Sequence, residues 1–266
     1  MDFYFLPSQN IAIFWARKSG NSSILRWISA NFKEAKKRQS LRRFLYDNYN
    51  FRSALDIKPM IEAGEVKNVI ISSREPASRM TSSFVNKFLV YQGNILSTLD
   101  HLERFSRMHI LNSEKLKHCI LENVYSFSLS DFIEDIAGHD GRPLNQHFYP
   151  AVYSSEEHSA IECLFSNSSL NVFPLRCESM NADFENINKH FGFDSIPAKV
   201  NETTLPSDNW KFQDQELYAT VTTQELIKRE VIPTKEVLKS LLVSRKELSK
   251  AFRKKFKYDY LIQAKL

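Results

Sequence analysis

AIFWARKSGNSSILRWI, residues 12–28, is the stretch on which the reading of this chain turns. An apolar run ends at Trp15, a polar loop follows, and Ile24, Leu25, Ile28 and Phe32 then recur at helical spacing. A strand–loop–helix of this form aims backbone amides and the positive end of a helix dipole at its loop, which favours a bound phosphate or sulfate. Ser19, Ser22 and Ser23 add hydroxyl donors and Lys18 adds a point charge. The competing reading is a capped helix, in which Asn21 or Ser22 satisfies the amides and no ligand is held. A triphosphate-binding P-loop needs a lysine after its second glycine. Here Lys18 precedes Gly20, the loop's single glycine, which argues against triphosphate hydrolysis.

Working outward, residues 10–15 read as a buried strand and residues 66–72, VKNVIIS, as a second one. The second runs directly into REPASRMTSSFVNKF, residues 74–88, where Pro76 suits the first turn of a helix. Helical patterns cover about 97–107, 113–122, 129–136 and 155–165. A third strand is expected at 171–175, NVFPL, followed by a helix over 182–191 that stops at Gly192. After about residue 207 the chain is charged and mostly helical, punctuated by Pro233. Strands alternating with helices imply a three-layer α/β fold with a mainly parallel sheet flanked by helices. Ligands of such sheets bind outside the carboxyl ends of the strands, so the polar loops 16–21 and 73–76 are expected to share one site. The whole chain, 1–266, reads as a single domain with a core of about 10–200 and a helical extension over about 207–266.

Composition narrows the function classes. Apolar residues make up 42% and charged residues 25%, enough for a sizeable core. Cys119, Cys163 and Cys177 are scattered, so neither a zinc site nor a disulfide framework is expected. A net charge of +5 and a pI near 9.0 raise a nucleic-acid hypothesis, but the basic runs at 33–43 and 253–257 read more simply as solvated faces. No apolar run reaches the ~20 residues of a membrane span, and no signal peptide is evident. A soluble chain in a reducing cytoplasm, with no integral membrane segment, is the expectation.

Around the second strand, Arg74 leaves the strand end while Arg79, Ser82, Ser83 and Asn86 are expected on one helical stripe. Met80, Phe84, Phe88 and Tyr91 are expected on the neighbouring, core-facing stripe. An arginine and a serine hydroxyl on one rim suit a phosphate monoester. The simpler alternative is a surface helix whose arginines pair with glutamates. Arg176 and Glu178, just after the third strand, read best as an internal ion pair that orders the strand end.

Together, ARKSGNSS and REPASRMTSSFVNKF resemble two signatures of the sulfotransferase superfamily, its carbohydrate-type branch in particular: a loop like (P/A)KxGxTS and a stretch like RDPxxRxxSxFxxKF. NQHFYPAVY resembles that branch's DxHWxPQ stretch, and RCESMNADFENINKHFGF its xxEtlxxDfxxlxxxlG stretch, so the resemblance covers about residues 10–200. Glu75 and Asn145 stand where the family has aspartates, and Phe148 where it has a tryptophan. The resemblance implies a P-loop-like sulfotransferase fold whose donor is 3′-phosphoadenosine 5′-phosphosulfate (PAPS). Arg17, Lys18, Ser19, Gly20, Asn21, Ser22 and Ser23 would hold the 5′-phosphosulfate, and Arg74 and Ser82 the 3′-phosphate. The product would be adenosine 3′,5′-bisphosphate, with no metal required. The acceptor would be a hydroxyl (or amine) of a carbohydrate, glycolipid or related small molecule.

Such a transfer needs positive charge on the leaving phosphate, a role for Lys18, and a base for the acceptor's proton. His147, in a polar loop, is the preferred base, with Asp47, Asp56 and His139 as alternatives. Tyr149 and Tyr153 are placed to stack on a sugar ring or simply to pack. Two other classes stay open: a P-loop-type nucleotide kinase or triphosphatase, and a basic nucleic-acid-binding protein.

Overall fold

The computed structural model describes residues 1–16, 19–32, 52–91, 94–95, 100–108, 111–139, 148–196, 211–213 and 217–266. The chain divides into two compact units, each assembled from separated stretches. The first, a sheet unit, takes residues 1–74, 151–202 and 258–266; the second, a helical unit, takes 75–150 and 203–257.

In the sheet unit the first strand, β1 (Asp2–Leu6), turns back through a short 3₁₀ segment into β2 (Ile11–Trp15). Asn10 closes that turn in the left-handed conformation (φ 52°), which asparagine tolerates better than most residues. Then come α1 (Asn21–Asn31), β3 (Arg52–Ser53), α2 (Ile57–Glu62) and β4 (Asn68–Ser73). Residues after the helical unit's first stretch add α7 (Ser155–Ser166), β7 (Asn171–Arg176) and α8 (Met180–Phe191). The sheet has the order β3-β1-β2-β4-β7. β2 pairs in parallel with β4, and β4 with β7, while β1 runs antiparallel to both β2 and β3. Four of these five strands therefore point the same way, and the mainly parallel α/β sheet read from the sequence is present.

The period-2 alternation of β2 divides its side chains between two buried layers. Ile11, Ile13 and Trp15 pack with Ile24, Trp27 and Ile28 of α1 and with Phe184 and Ile187 of α8. Ala12 and Phe14 pack on the opposite face with Ile57 and Met60 of α2, Ile161 and Leu164 of α7, and Ile262. Helices thus cover both faces. Trp27 anchors its layer, donating from Nε1 to Asn188 Oδ1 at 2.7 Å and stacking on Phe184. Truncating such a buried ring costs roughly 3–5 kcal/mol. Pro174 lies within β7, an edge strand, where a missing amide is tolerated.

The helical unit contains α3 (Pro76–Phe84), which continues as a π-helical turn over Val85–Leu89 into the short pair β5 (Val90–Tyr91) and β6 (Asn94–Ile95). It adds α4 (His101–Met108), α5 (Glu114–Leu121) and α6 (Leu129–Gly138). Further on come β8 (Lys211–Gln213), α9 (Leu217–Thr220), α10 (Thr223–Lys228), β9 (Val231–Pro233), α11 (Lys235–Ser244) and α12 (Lys246–Lys255). Its interior is aromatic: Phe84, Phe88, Phe127, Phe132 and Phe148 are all buried, with Phe132 and Phe148 edge-on at 5.0 Å. A last helix, α13 (Lys257–Gln263), brings the chain back to the sheet unit.

The helices expected at about 113–122, 129–136 and 155–165 are found as α5, α6 and α7, within a residue or two of their expected ends. The helix expected at 182–191 starts two residues earlier and ends at Gly192, which takes the left-handed φ of 67°. Sequence reading missed β1 and the parallel pair β8–β9.

Candidate functional site

β2 and β4 lie side by side and run the same way, so both polar loops leave the same edge of the sheet. The first loop is held from beneath. Ser72 Oγ, fully buried on β4, donates to the carbonyl of Ser19 at 2.8 Å, and the Ser19 amide donates to Ala16 at 3.2 Å. Gly20 is the N-cap of α1, in the left-handed region at φ 83°. An added Cβ there would also overlap Met180 Cε, although that methyl is the far end of a flexible side chain. Backbone conformation is therefore the firmer reason for glycine, with a cost of about 1–2 kcal/mol for another L-residue. A glycine cap brings no side-chain acceptor to the α1 amides. Ser23 is buried in the first turn, Ser22 is exposed, and Asn21 Oδ1 lies 3.5 Å from the Tyr4 hydroxyl.

At the end of β4, Ser73 is buried, and its Oγ has no hydrogen-bond partner among the described residues. Arg74 follows it, half-buried. Ser19, Ser72, Ser73 and Arg74 line one crevice together with Met1, Ala151, Asp259 and Ile262. Its enclosed space is about 10 Å³, room for one water and not for a nucleotide. The crevice contains residues that sequence reading overlooked. Asp259, 7% exposed, accepts the Ala151 amide on both carboxylate oxygens, at 2.9 and 3.0 Å. No short-range pattern signals a pair so far apart in the chain.

Of the residues expected to hold a nucleotide, Ser19, Gly20, Asn21, Ser22, Ser23 and Arg74 belong to the sheet unit, and Ser19 and Arg74 line the same crevice. Arg17 and Lys18 lie outside the described residues, as do His147, Asp47 and Asn145. Ser82 belongs to the helical unit, half-buried on α3, where its carbonyl accepts from Asn86 Nδ2 at 2.9 Å.

The expected stripe on α3 divides. Arg79 is 1% exposed, its guanidinium 5.5 Å above the Phe256 ring, and Ser83 Oγ donates to the Arg79 carbonyl at 2.9 Å. Ser82 and Asn86 alone keep a partly exposed face. Helical spacing could not separate them, because Arg79 and Ser83 sit next to the apolar arc and a planar guanidinium packs on a ring. The core-facing stripe holds for Met80, Phe84 and Phe88, all fully buried. Glu75 accepts from Ser78 Oγ at 2.9 Å and pairs with Lys239 at 2.8 Å.

Beyond β7 the internal ion pair exists with a different acid. Arg176 Nη2 and Nε reach Asp183 at 2.6 and 3.1 Å, the Arg176 amide reaches it at 2.7 Å, and Ser179 Oγ at 3.1 Å. Burial pushes the Asp183 carboxyl up, but donors from Arg176 and Ser179 outweigh it and hold it below the usual carboxylate range. Of the alternative bases, Asp56 is exposed and completes a capping box with Ser53, and His139 is exposed at the end of α6, its backbone carbonyl accepting from Lys255 Nζ at 2.6 Å. Tyr153 is half-buried, and its amide donates to Glu157 at 2.9 Å.

No family model matches the chain, and no curated protein or solved structure matches it. No helix among the described residues is long and apolar enough to cross a membrane. The site is therefore argued from its own chemistry: a glycine-capped helix start without a side-chain cap, and beside it, next to an arginine, a buried hydroxyl that has no partner among the described residues. Both features fit an anion better than they fit an empty surface.

Proposed function

We propose that the chain is a sulfotransferase that moves a sulfuryl group from PAPS to a hydroxyl or amine of a carbohydrate, glycolipid or related acceptor. The observation that carries this reading is the crevice shared by Ser19, from the glycine-capped loop, and Arg74, from the adjacent parallel strand. The sequence signatures around those two residues are the ones that resemble the sulfotransferase superfamily. In this reading the amides of residues 20–23 and the hydroxyls of Ser22 and Ser23 orient the phosphosulfate, and Arg74 holds the 3′-phosphate. The donor supplies the sulfuryl group. Lys18 neutralises the 5′-phosphate as its bond to sulfur breaks, and His147 takes the proton from the acceptor oxygen as the new S–O bond forms. Positioning and positive charge are sufficient for such an in-line transfer.

The test is thermal stabilisation by adenosine 3′,5′-bisphosphate compared with ATP–Mg²⁺. At a hundredfold excess over Kd a ligand stabilises by about 2.7 kcal/mol. For a chain of this size that is a rise in Tm of roughly 5–10 °C. Stabilisation by the bisphosphate alone supports the reading, and stabilisation by ATP–Mg²⁺ alone would assign the loop to a kinase or triphosphatase.

A further inference from the structure

α12 is basic along one side. It carries Lys246, Lys250, Arg253, Lys254 and Lys255 against a single carboxylate, Glu247. Lys246, Lys250, Arg253 and Lys254 recur at intervals of four, three and one, which places them on one arc of the helix. All four are exposed, and none has an acidic partner among the described residues. The opposite arc is fixed: Phe252 is fully buried, and so is Phe256 just past the helix end. The cations are thus carried on an anchored helix, along about 12 Å of its axis. Three residues before Lys246, at the end of α11, Val243 is 81% exposed.

We propose that this face docks the protein on a membrane surface rich in anionic lipid, as a peripheral contact without insertion of a helix. A row of exposed cations on a helix anchored by Phe252 complements a flat negative surface, and each basic residue close to such a surface adds to the attraction. A single-stranded nucleic acid is served less well, because the arc contains no aromatic ring on which a base would stack. This inference is independent of the sulfotransferase reading.

The experiment is co-sedimentation of the full chain with phosphatidylcholine vesicles, with and without about one-third phosphatidylserine. The comparison protein carries Lys246→Gln, Lys250→Gln, Arg253→Gln and Lys254→Gln, all at exposed positions, and its thermal melt checks that it folds as the parent does. The expected result is binding to phosphatidylserine vesicles only, weakened in the variant by between about tenfold and a thousandfold, and reduced by added salt. Equal binding to both vesicle types, or unchanged binding by a folded variant, overturns the proposal. So does a short DNA duplex that binds through the same four residues while the vesicles do not. If the variant unfolds, the pair Lys250→Glu and Lys254→Glu is used instead, with the same criteria.

Discussion

The turn from β2 into α1 and the turn from β7 into α8 both leave the carboxyl end of a parallel strand, but only the second contains its own anion. Asp183 takes the Arg176 guanidinium, the Arg176 amide and the Ser179 hydroxyl, so the donors around that strand end are already engaged. At the first turn the cap is a glycine that brings no acceptor, and the neighbouring Ser73 hydroxyl is buried without a partner among the described residues. Among the described residues, the donors at the β7 end are met from within the chain, whereas beside the β2 end the Ser73 hydroxyl is not. A closed turn stabilises the fold, whereas an open one retains donors for something from outside.

Three measurements can break or sharpen this contrast. The largest effect is expected at the closed turn. Asp183→Ala removes an acceptor that is 2% exposed and leaves several donors unmatched, so it should cost about 3 kcal/mol in urea unfolding. The partly exposed arginine keeps the figure from rising further, because solvent screens the pair. The sign with pH follows from the depressed carboxyl. Its stabilisation is complete above the ordinary carboxylate range of about 4 and is lost as pH falls through the lowered folded value. Asp183→Asn should therefore flatten the acidic limb of the stability curve, and an unchanged limb would show that the carboxylate is not what closes this turn.

An intermediate effect is expected at the open edge, in binding. Arg74→Ala should weaken adenosine 3′,5′-bisphosphate by about 2 kcal/mol, the scale of one charged hydrogen bond, and adenosine 5′-phosphate far less. Calorimetric titration with both nucleotides decides the point, since equal losses would remove the assignment of Arg74 to the 3′-phosphate.

The smallest effect separates two adjacent serines. Ser72→Ala deletes the bond to the Ser19 carbonyl and should destabilise by about 1 kcal/mol. Ser73→Ala deletes a hydroxyl with no partner among the described residues and should be neutral or slightly stabilising in the free protein, while reducing the protection that a bound anion gives. Paired melts, with and without adenosine 3′,5′-bisphosphate, test both. A destabilised Ser73→Ala protein would mean that this edge is satisfied internally after all.

Much of the sheet unit was legible in the sequence because its strands are short apolar runs with clear ends. IAIFW and NVIISS are bounded by turn residues, and each feeds a helix with a clear apolar stripe. β1 escaped because DFYFL offers neither alternation nor a preceding turn, although Pro7-Ser8-Gln9-Asn10 behind it was a usable hairpin signal. The places of Gly20 at a helix start and Arg74 at a strand end were also legible, since both stand next to recognisable punctuation. Tertiary pairings were not. Spacing put Arg79 with Ser82, whereas an aromatic ring drew it inside, and proximity in sequence put Arg176 with Glu178, whereas the acceptor is one helical turn into α8.

The return of α13 to the sheet unit bears on how the chain reaches its native state. Asp259 closes on Ala151 across 108 positions of sequence, and Ile262 enters the layer built by Phe14 and Ile161. β7 likewise joins β4 only after the first stretch of the helical unit has intervened. Contacts of such long separation require large loops to close before any of their energy is recovered, and this slows folding. During synthesis, β1, β2 and β4 emerge early and can pair, but the strand edge that β7 will cover and the apolar layer that Ile262 will complete remain exposed until much later residues arrive. That interval, rather than the stability of the finished sheet, is where aggregation would compete with folding, and chaperone binding during translation would be concentrated there.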